Sequence, residues 1–96
     1  MRKIEIEMLA AVRFHANWSS GNTTVVRHRI PESGATVPRV YLHGNHIADV
    51  PVVGPVLVNI ETLRRWPTSL TVSRLKALGA NVSFQGGLLY IDGVRV

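Results

Sequence analysis

Between residues 39 and 50 the chain reads Arg39-Val40-Tyr41-Leu42-His43, then Gly44-Asn45, then His46-Ile47-Ala48-Asp49-Val50. Two β-prone runs flank a pair of residues that tolerate positive φ, which predicts a β-hairpin over 39–50. No other feature constrains the fold as much. An isolated hairpin is at best marginally stable in water, so it must find further strands or a helical cover. Direct pairing across Gly44-Asn45 would oppose His43 to His46, Leu42 to Ile47 and Tyr41 to Ala48, and would send Asp49 to the opposite face with Val40.

The flanks supply candidates for that cover. Ile4, Met8, Ala11, Val12 and His15 recur at spacings of three and four, the stripe of an amphipathic helix over 3–15. Arg2, Lys3, Glu5, Glu7 and Arg13 fall largely toward solvent in that reading. Asn17 to Asn22 is turn chemistry, with Trp18 anchoring the turn to the core. Thr23 to Ile30 is rich in β-branched residues and reads as a strand. Beyond the hairpin, Pro51 to Pro55 is a connector and Val56-Leu57-Val58 a short buried strand or the approach to a helix. Asn59 caps a helix over 60–66 that Pro67 stops. Thr71, or Ser69 before it, caps a second helix over 70–78, and Gly79 is placed at its C-terminal end. Asn81–Phe84 and Leu88–Asp92 flank Gln85-Gly86-Gly87 as a second hairpin over 81–92. The expected fold is therefore a single α+β domain over 1–96, with an N-terminal helix, an antiparallel sheet, two short helices and a C-terminal hairpin.

Composition agrees with one folded core. Hydrophobic residues make up 46% of the 96 and charged residues 18%, enough apolar surface to offset the entropy of folding. There is no cysteine, which removes disulfides, thiolate nucleophiles and Cys-based zinc sites. The N-terminus carries two acids where a secretory signal needs an apolar stretch. The longest apolar run, Val50 to Val58, is broken by Pro51, Gly54 and Pro55, well short of the ~20 residues of a membrane span. A soluble, cytoplasmic protein that binds no membrane is expected.

The chain holds 11 Lys and Arg against 6 Asp and Glu, a net charge of +5, and nine of those cations are arginine. Arginine's planar fork matches phosphate and carboxylate bidentately, so an anionic partner is expected. The order helix, short turn, helix, hairpin from Asn59 to Ile91 is that of a winged helix-turn-helix. Leu63, Trp66, Leu70, Leu75 and Leu78 would hold its helices together. Arg64, Arg65, Arg74 and Lys76 would contact phosphates, with Thr71 and Ser73 near the bases of a duplex. Two helices leading to a hairpin also occur in domains that bind no DNA.

Other chemistries find less support. His43 and His46 would share a hairpin face, but a zinc site needs three or four ligands, and His15, His28 and Asp49 have no diagnostic spacing. No metal or cofactor is expected. There is no Gly-x-Ser-x-Gly elbow, and Gly86-Gly87 connects two strands rather than opening a helix as a phosphate loop does. Glu5 and Glu7 lie two apart on a helix and face different ways. Catalysis is not expected. Trp18, Trp66, Tyr41 and Tyr90 are scattered over different elements, so core packing is expected of them rather than base stacking.

Two dense stretches, Val40 to Ala48 and Trp66-Pro67-Thr68-Ser69-Leu70-Thr71-Val72-Ser73-Arg74-Leu75-Lys76-Ala77-Leu78-Gly79, resemble a group of small accessory proteins of tailed bacteriophages. The opening Met1-Arg2-Lys3-Ile4-Glu5 to Ala10-Ala11, the Ser20-Gly21-Asn22-Thr23 turn and the closing Tyr90-Ile91-Asp92-Gly93 are similar too. The resemblance implies a phage product acting in the infected bacterium's cytoplasm and carries no functional residues with it. The expected function is nucleic-acid binding, duplex DNA first. The alternative is a host-takeover factor that docks on an acidic surface of a bacterial protein and inhibits it.

Overall fold

Alternation of small and β-branched residues in the first half of the chain builds one large sheet, seen in a computed structural model that describes residues 1–96. Helix α1 (Lys3–Arg13) leads into strands β1 (Trp18–Ser20), β2 (Thr23–Arg29), β3 (Thr36–Leu42), β4 (Asn45–Asp49) and β5 (Leu57–Val58). These five strands form one antiparallel sheet in chain order. Helices α2 (Ile60–Arg65) and α3 (Ser69–Ala77) follow, and β6 (Val82–Gln85), β7 (Leu88–Ile91) and β8 (Val94–Arg95) make a second, three-stranded sheet. The α+β architecture is the expected one; β1 and β8 are additional strands, in segments expected to be turn and tail, and the Val56-Leu57-Val58 segment resolves as the strand β5, with Leu57 exposed.

The register sets the core. Val25 pairs with Val40 and Thr23 with Leu42, and all four are buried on the face that the helices cover. Helix α1 lies on β2, and α2 and α3 lie on β4. Met8, Leu63, Leu75 and Val82 close the layer between helices and sheet. Each such side chain contributes about 1.5–3 kcal/mol by leaving water. The other face carries Thr24, Val26, Arg39, Tyr41 and Asp49, half-exposed.

The central hairpin departs from direct pairing. Its two turn residues are His43 and Gly44, with φ of 52° and 79°, so Leu42 opposes Asn45 and Tyr41 opposes His46. A two-residue primed turn needs positive φ at both positions, and His is among the residues that tolerate it next to Gly. A bulge between Val40 and Tyr41 then restores the pattern: Val40 meets Ala48 and Arg39 meets Asp49. The bulge turns two successive side chains, Ile47 and Ala48, into the core. Burial of that pair explains why the slipped register wins, since register follows the buried face. His43 and His46 therefore do not oppose one another, and Asp49 joins the face of Arg39 rather than of Val40.

Helix ends explain the other boundary shifts. Helix α1 stops two residues early because His15 adopts φ 51°, with Ala16 N–H donating to Ala11 C=O and His15 N–H to Val12 C=O. Helix α3 ends in the same motif, with Gly79 at φ 100° in the left-handed position, as its sequence predicts. Its N-cap is Thr68, whose Oγ1 accepts from Thr71 N–H at 3.2 Å, three residues ahead of one expected cap and one ahead of the other. Asn59 caps α2 as expected, its Oδ1 accepting from Thr62 N–H at 3.2 Å.

Candidate functional site

The residues read from sequence as a DNA-contacting set separate into two environments. Arg74 is 2% exposed, beneath α3 rather than on its outer face. Its Nη1 donates to Glu5 Oε2 at 2.8 Å, its Nε to Thr23 Oγ1 at 3.1 Å and its Nη2 to Asn22 Oδ1 at 3.4 Å. Ser73 Oγ donates to the same Glu5 oxygen at 2.6 Å, and Arg2 N–H to Glu5 Oε1 at 3.4 Å. Glu5, expected in solvent, is 3% exposed. Burial pushes its carboxyl up, but the hydrogen bonds from Ser73 and Arg74 outweigh that and hold it below the ordinary carboxylate range. Thr71 is also buried, its hydroxyl bonded to Thr68 at 2.9 Å.

These placements correct the helix-turn-helix reading. A recognition helix must present its outer face to the groove, whereas Thr71, Val72, Arg74 and Leu75 all point inward. Arg74 and Ser73 lock α3 onto α1 and, through Thr23, onto β2, while Thr71 is buried against the cap of its own helix. The hairpin after α3 belongs to its own three-stranded sheet. Three of the six expected contact residues remain exposed: Arg64, Arg65 and Lys76.

A second polar network spans the outer face of the large sheet. Arg39 Nε and Nη2 donate to the two oxygens of Asp49 at 2.9 and 3.2 Å. His46 Nε2 lies 3.0 Å from Asp49 Oδ1, and the Asn59 amide donates to His46 Nδ1 at 3.3 Å. That arrangement assigns the imidazole proton to Nε2 and leaves neither ring nitrogen free to take a proton from a substrate. Burial pushes the Asp49 carboxyl up, while the Arg39 hydrogen bonds and the neighbouring His46 hold it below its ordinary value. The chain of contacts ties β3 and β4 to the cap of α2. No three His, Asp or Glu side chains converge as a metal site would require.

Helix α2 delivers the exposed group. Arg64 and Arg65 occupy its last turn, where the helix dipole favours cations, and neither is in an ion pair. Trp66 follows at φ −126°, outside the helix, because the residue before a proline is driven from the α region. Thr68 N–H donates to Trp66 C=O at 2.8 Å across Pro67, a tight turn that fixes the indole at the helix end. Trp66 is 48% exposed, not the core anchor expected of it. It forms a wall of a cleft of about 520 Å3 between the hairpin turn and the two helices, shared with Leu42, His43, Asn45, Thr62 and Leu70. Adjoining it is a smaller depression of about 100 Å3 that shares Asn45, Thr62 and Trp66 with the cleft and is also lined by Asn59, Glu61 and Arg65. The Trp66-Pro67 dipeptide was the available signal for this site. The cleft itself joins residues too distant in sequence to be read together.

Nine of the eleven cations lie outside ion pairs, as do four of the six acids. No helix is long and apolar enough to cross a membrane. These features define a small α+β domain with a structural buried ion pair, a net basic surface and an aromatic cleft beside α2. The chain belongs to the Kyanoviridae Gp96 protein family, whose model it matches over residues 1–93, and so to a family of phage accessory proteins. No curated protein and no solved structure matches it.

Proposed function

We propose that the protein is a nucleic-acid-binding accessory factor of the phage, with Arg64 and Arg65 as its principal phosphate contacts and Lys76 as a weaker one. The observation that carries this reading is the pair of adjacent, unpaired arginines exposed at the end of α2, beside an exposed tryptophan. Arg39 and Arg74 are tied to carboxylates inside the fold, whereas Arg64 and Arg65, adjacent at one helix end, are not. A guanidinium fork free of an internal carboxylate can take a phosphate bidentately.

Affinity for labelled oligonucleotides, followed against salt, tests the proposal. Binding should be measurable at ~50 mM salt and log affinity should fall linearly with log salt, because each phosphate contact releases counterions. Replacing Arg64 and Arg65 together with Ala should make that slope shallower by about 2. Absent binding at low salt, or binding indifferent to salt, would sink the idea.

A second reading, a factor that docks on a host protein and inhibits it, draws on the opposite feature. Phe14 is 74% exposed and Val53 is 87% exposed. The end of α1 and the 50–52 segment share a shallow depression lined by Val12, Arg13, His15, Val50, Pro51 and Val52. Exposed apolar side chains flanking such a depression in sequence suit a protein contact. A nuclease-treated pulldown from bacterial lysate separates the readings: a partner that survives nuclease and is lost on Phe14→Ser with Val53→Ser favours docking, while loss of every partner on nuclease favours nucleic acid.

A further inference from the structure

The cleft beside α2 differs from the arginines next to it in one respect that bears on the kind of nucleic acid bound. Its walls include the apolar Leu42, Ile47, Trp66 and Leu70 and the polar His43, Asn45, Thr62 and Thr68, with no acid, lysine or arginine. At about 520 Å3 it falls within the ~300–1,000 Å3 of sites that take small organic groups. The cations stand outside: Arg65 lines the adjoining depression, together with Glu61, and Arg64 precedes it in the same helical turn. The polar networks of the fold use neither the Asn45 amide nor the His43 ring, which leaves both to the cleft. An occupant suited to this arrangement has a neutral, flat portion with hydrogen-bonding edges for the cleft and a negative charge a few ångströms away for the arginines.

We infer that the Trp66 cleft receives an unstacked base of a single-stranded nucleic acid, whose adjoining phosphates lie against Arg64 and Arg65. This rests on the nucleic-acid reading above and sharpens it, because a base inside a duplex is paired and stacked and cannot enter such a cleft without being flipped out. An acidic peptide fits less well: its carboxylates are served by the arginines, but its side chains make little use of a flat aromatic wall bordered by neutral amide and hydroxyl groups. Stacking on an aromatic side chain tolerates any base, so little sequence preference is expected.

The test uses the full chain with Trp18→Phe, so that indole emission reports Trp66 alone. A single-stranded 12-mer, the matching duplex, a nucleoside monophosphate and a poly-glutamate peptide are titrated in parallel at ~50 mM salt. The single strand should quench the emission and bind at least about tenfold tighter than the duplex. Trp66→Ala should weaken single-strand binding roughly 5- to 150-fold, the range for loss of one stacked base, while leaving duplex affinity and the salt slope unchanged. Trp66→Phe should keep most of the preference, and because residue 66 is half-exposed both variants should stay folded. Equal binding of strand and duplex without quenching overturns the base cleft and spares the phosphate contacts. Binding of neither overturns both readings. Quenching by poly-glutamate but not by the strand also overturns both, and a monophosphate that binds as tightly as the 12-mer overturns the assignment to a strand.

Discussion

Helices α2 and α3 are neighbours in sequence and carry four of the eleven cations between them, yet they put their arginines to opposite uses. In α3, Arg74 is withdrawn from water and bonded to Glu5, Thr23 and Asn22, so its charge is spent inside the fold. In α2, Arg64 and Arg65 stand in solvent with no acidic partner. The difference lies in what faces each helix. Helix α3 packs against α1, whose Glu5 is aimed at it, whereas the last turn of α2 ends at Pro67 beside an open cleft. A basic cluster in a sequence is therefore no single feature: one part can be mortar and the other a surface.

Removing the inner arginine breaks this contrast most severely. Arg74→Ala leaves the Glu5 carboxylate buried and unpaired, which should cost about 3–5 kcal/mol. A domain of this kind has about 5–15 kcal/mol in all, so the variant should lose a large share of its stability. Urea denaturation followed by circular dichroism measures it, and a loss below ~1 kcal/mol would show that the pair does not hold α1 to α3. For the same reason, lost DNA binding in an Arg74 variant would say nothing about contact with DNA.

Acid should reach the same pair without mutation. Glu5 and Asp49 both have folded-state pKa values below their ordinary ones. Their contribution is complete above the unfolded value near 4 and is lost as pH falls through the lower, folded values, while Arg74 and Arg39 stay charged throughout. The denaturation midpoint should be level from pH 7 to about 5 and fall as the pH drops below about 4. A midpoint indifferent to pH across that window would mean that the two carboxylates gain nothing from their partners.

The contrast between the helices was only partly legible in the sequence. Local chemistry carried the elements: Asn59 as a cap, Pro67 as a stop, Gly79 as a helix terminator and the second hairpin around Gly86-Gly87 all sit where expected, because each acts over three or four residues. The first hairpin was visible, but its register was not. A turn at His43-Gly44 and a compensating bulge are favoured only once Ile47 and Ala48 both find the core, and that depends on helices supplied by distant sequence. The pairing of Arg74 with Glu5, 69 residues away, lies further out of reach. Glu5 falls beside the apolar stripe of α1, and only a facing cation makes its burial tolerable. Trp66 departs from its expected place in the core for the converse reason. A large aromatic is a core residue by default, and the proline after it is what carries it out of the helix and into the cleft wall.

The smallest expected effect isolates the helix that faces outward. Asn59 attaches α2 twice, by capping Thr62 N–H through Oδ1 and by donating from its amide to His46. Asn59→Ala removes both contacts and should cost about 1–2 kcal/mol, chiefly through the cap. Asn59→Ser keeps an oxygen for the cap and loses the His46 bond, so it should fall between wild type and Ala. Neither change touches Arg74 or Glu5, so the acid-dependent drop in stability should survive in both. What should change is the seating of α2: in a Trp18→Phe background, Trp66 emission should shift more for Asn59→Ala than for Asn59→Ser. Equal stabilities for the two variants would show that the His46 link, and not the cap, holds this helix against the sheet. An unchanged Trp66 spectrum in both would show instead that Leu63 alone, buried at the centre of α2, seats the helix and the cleft beside it.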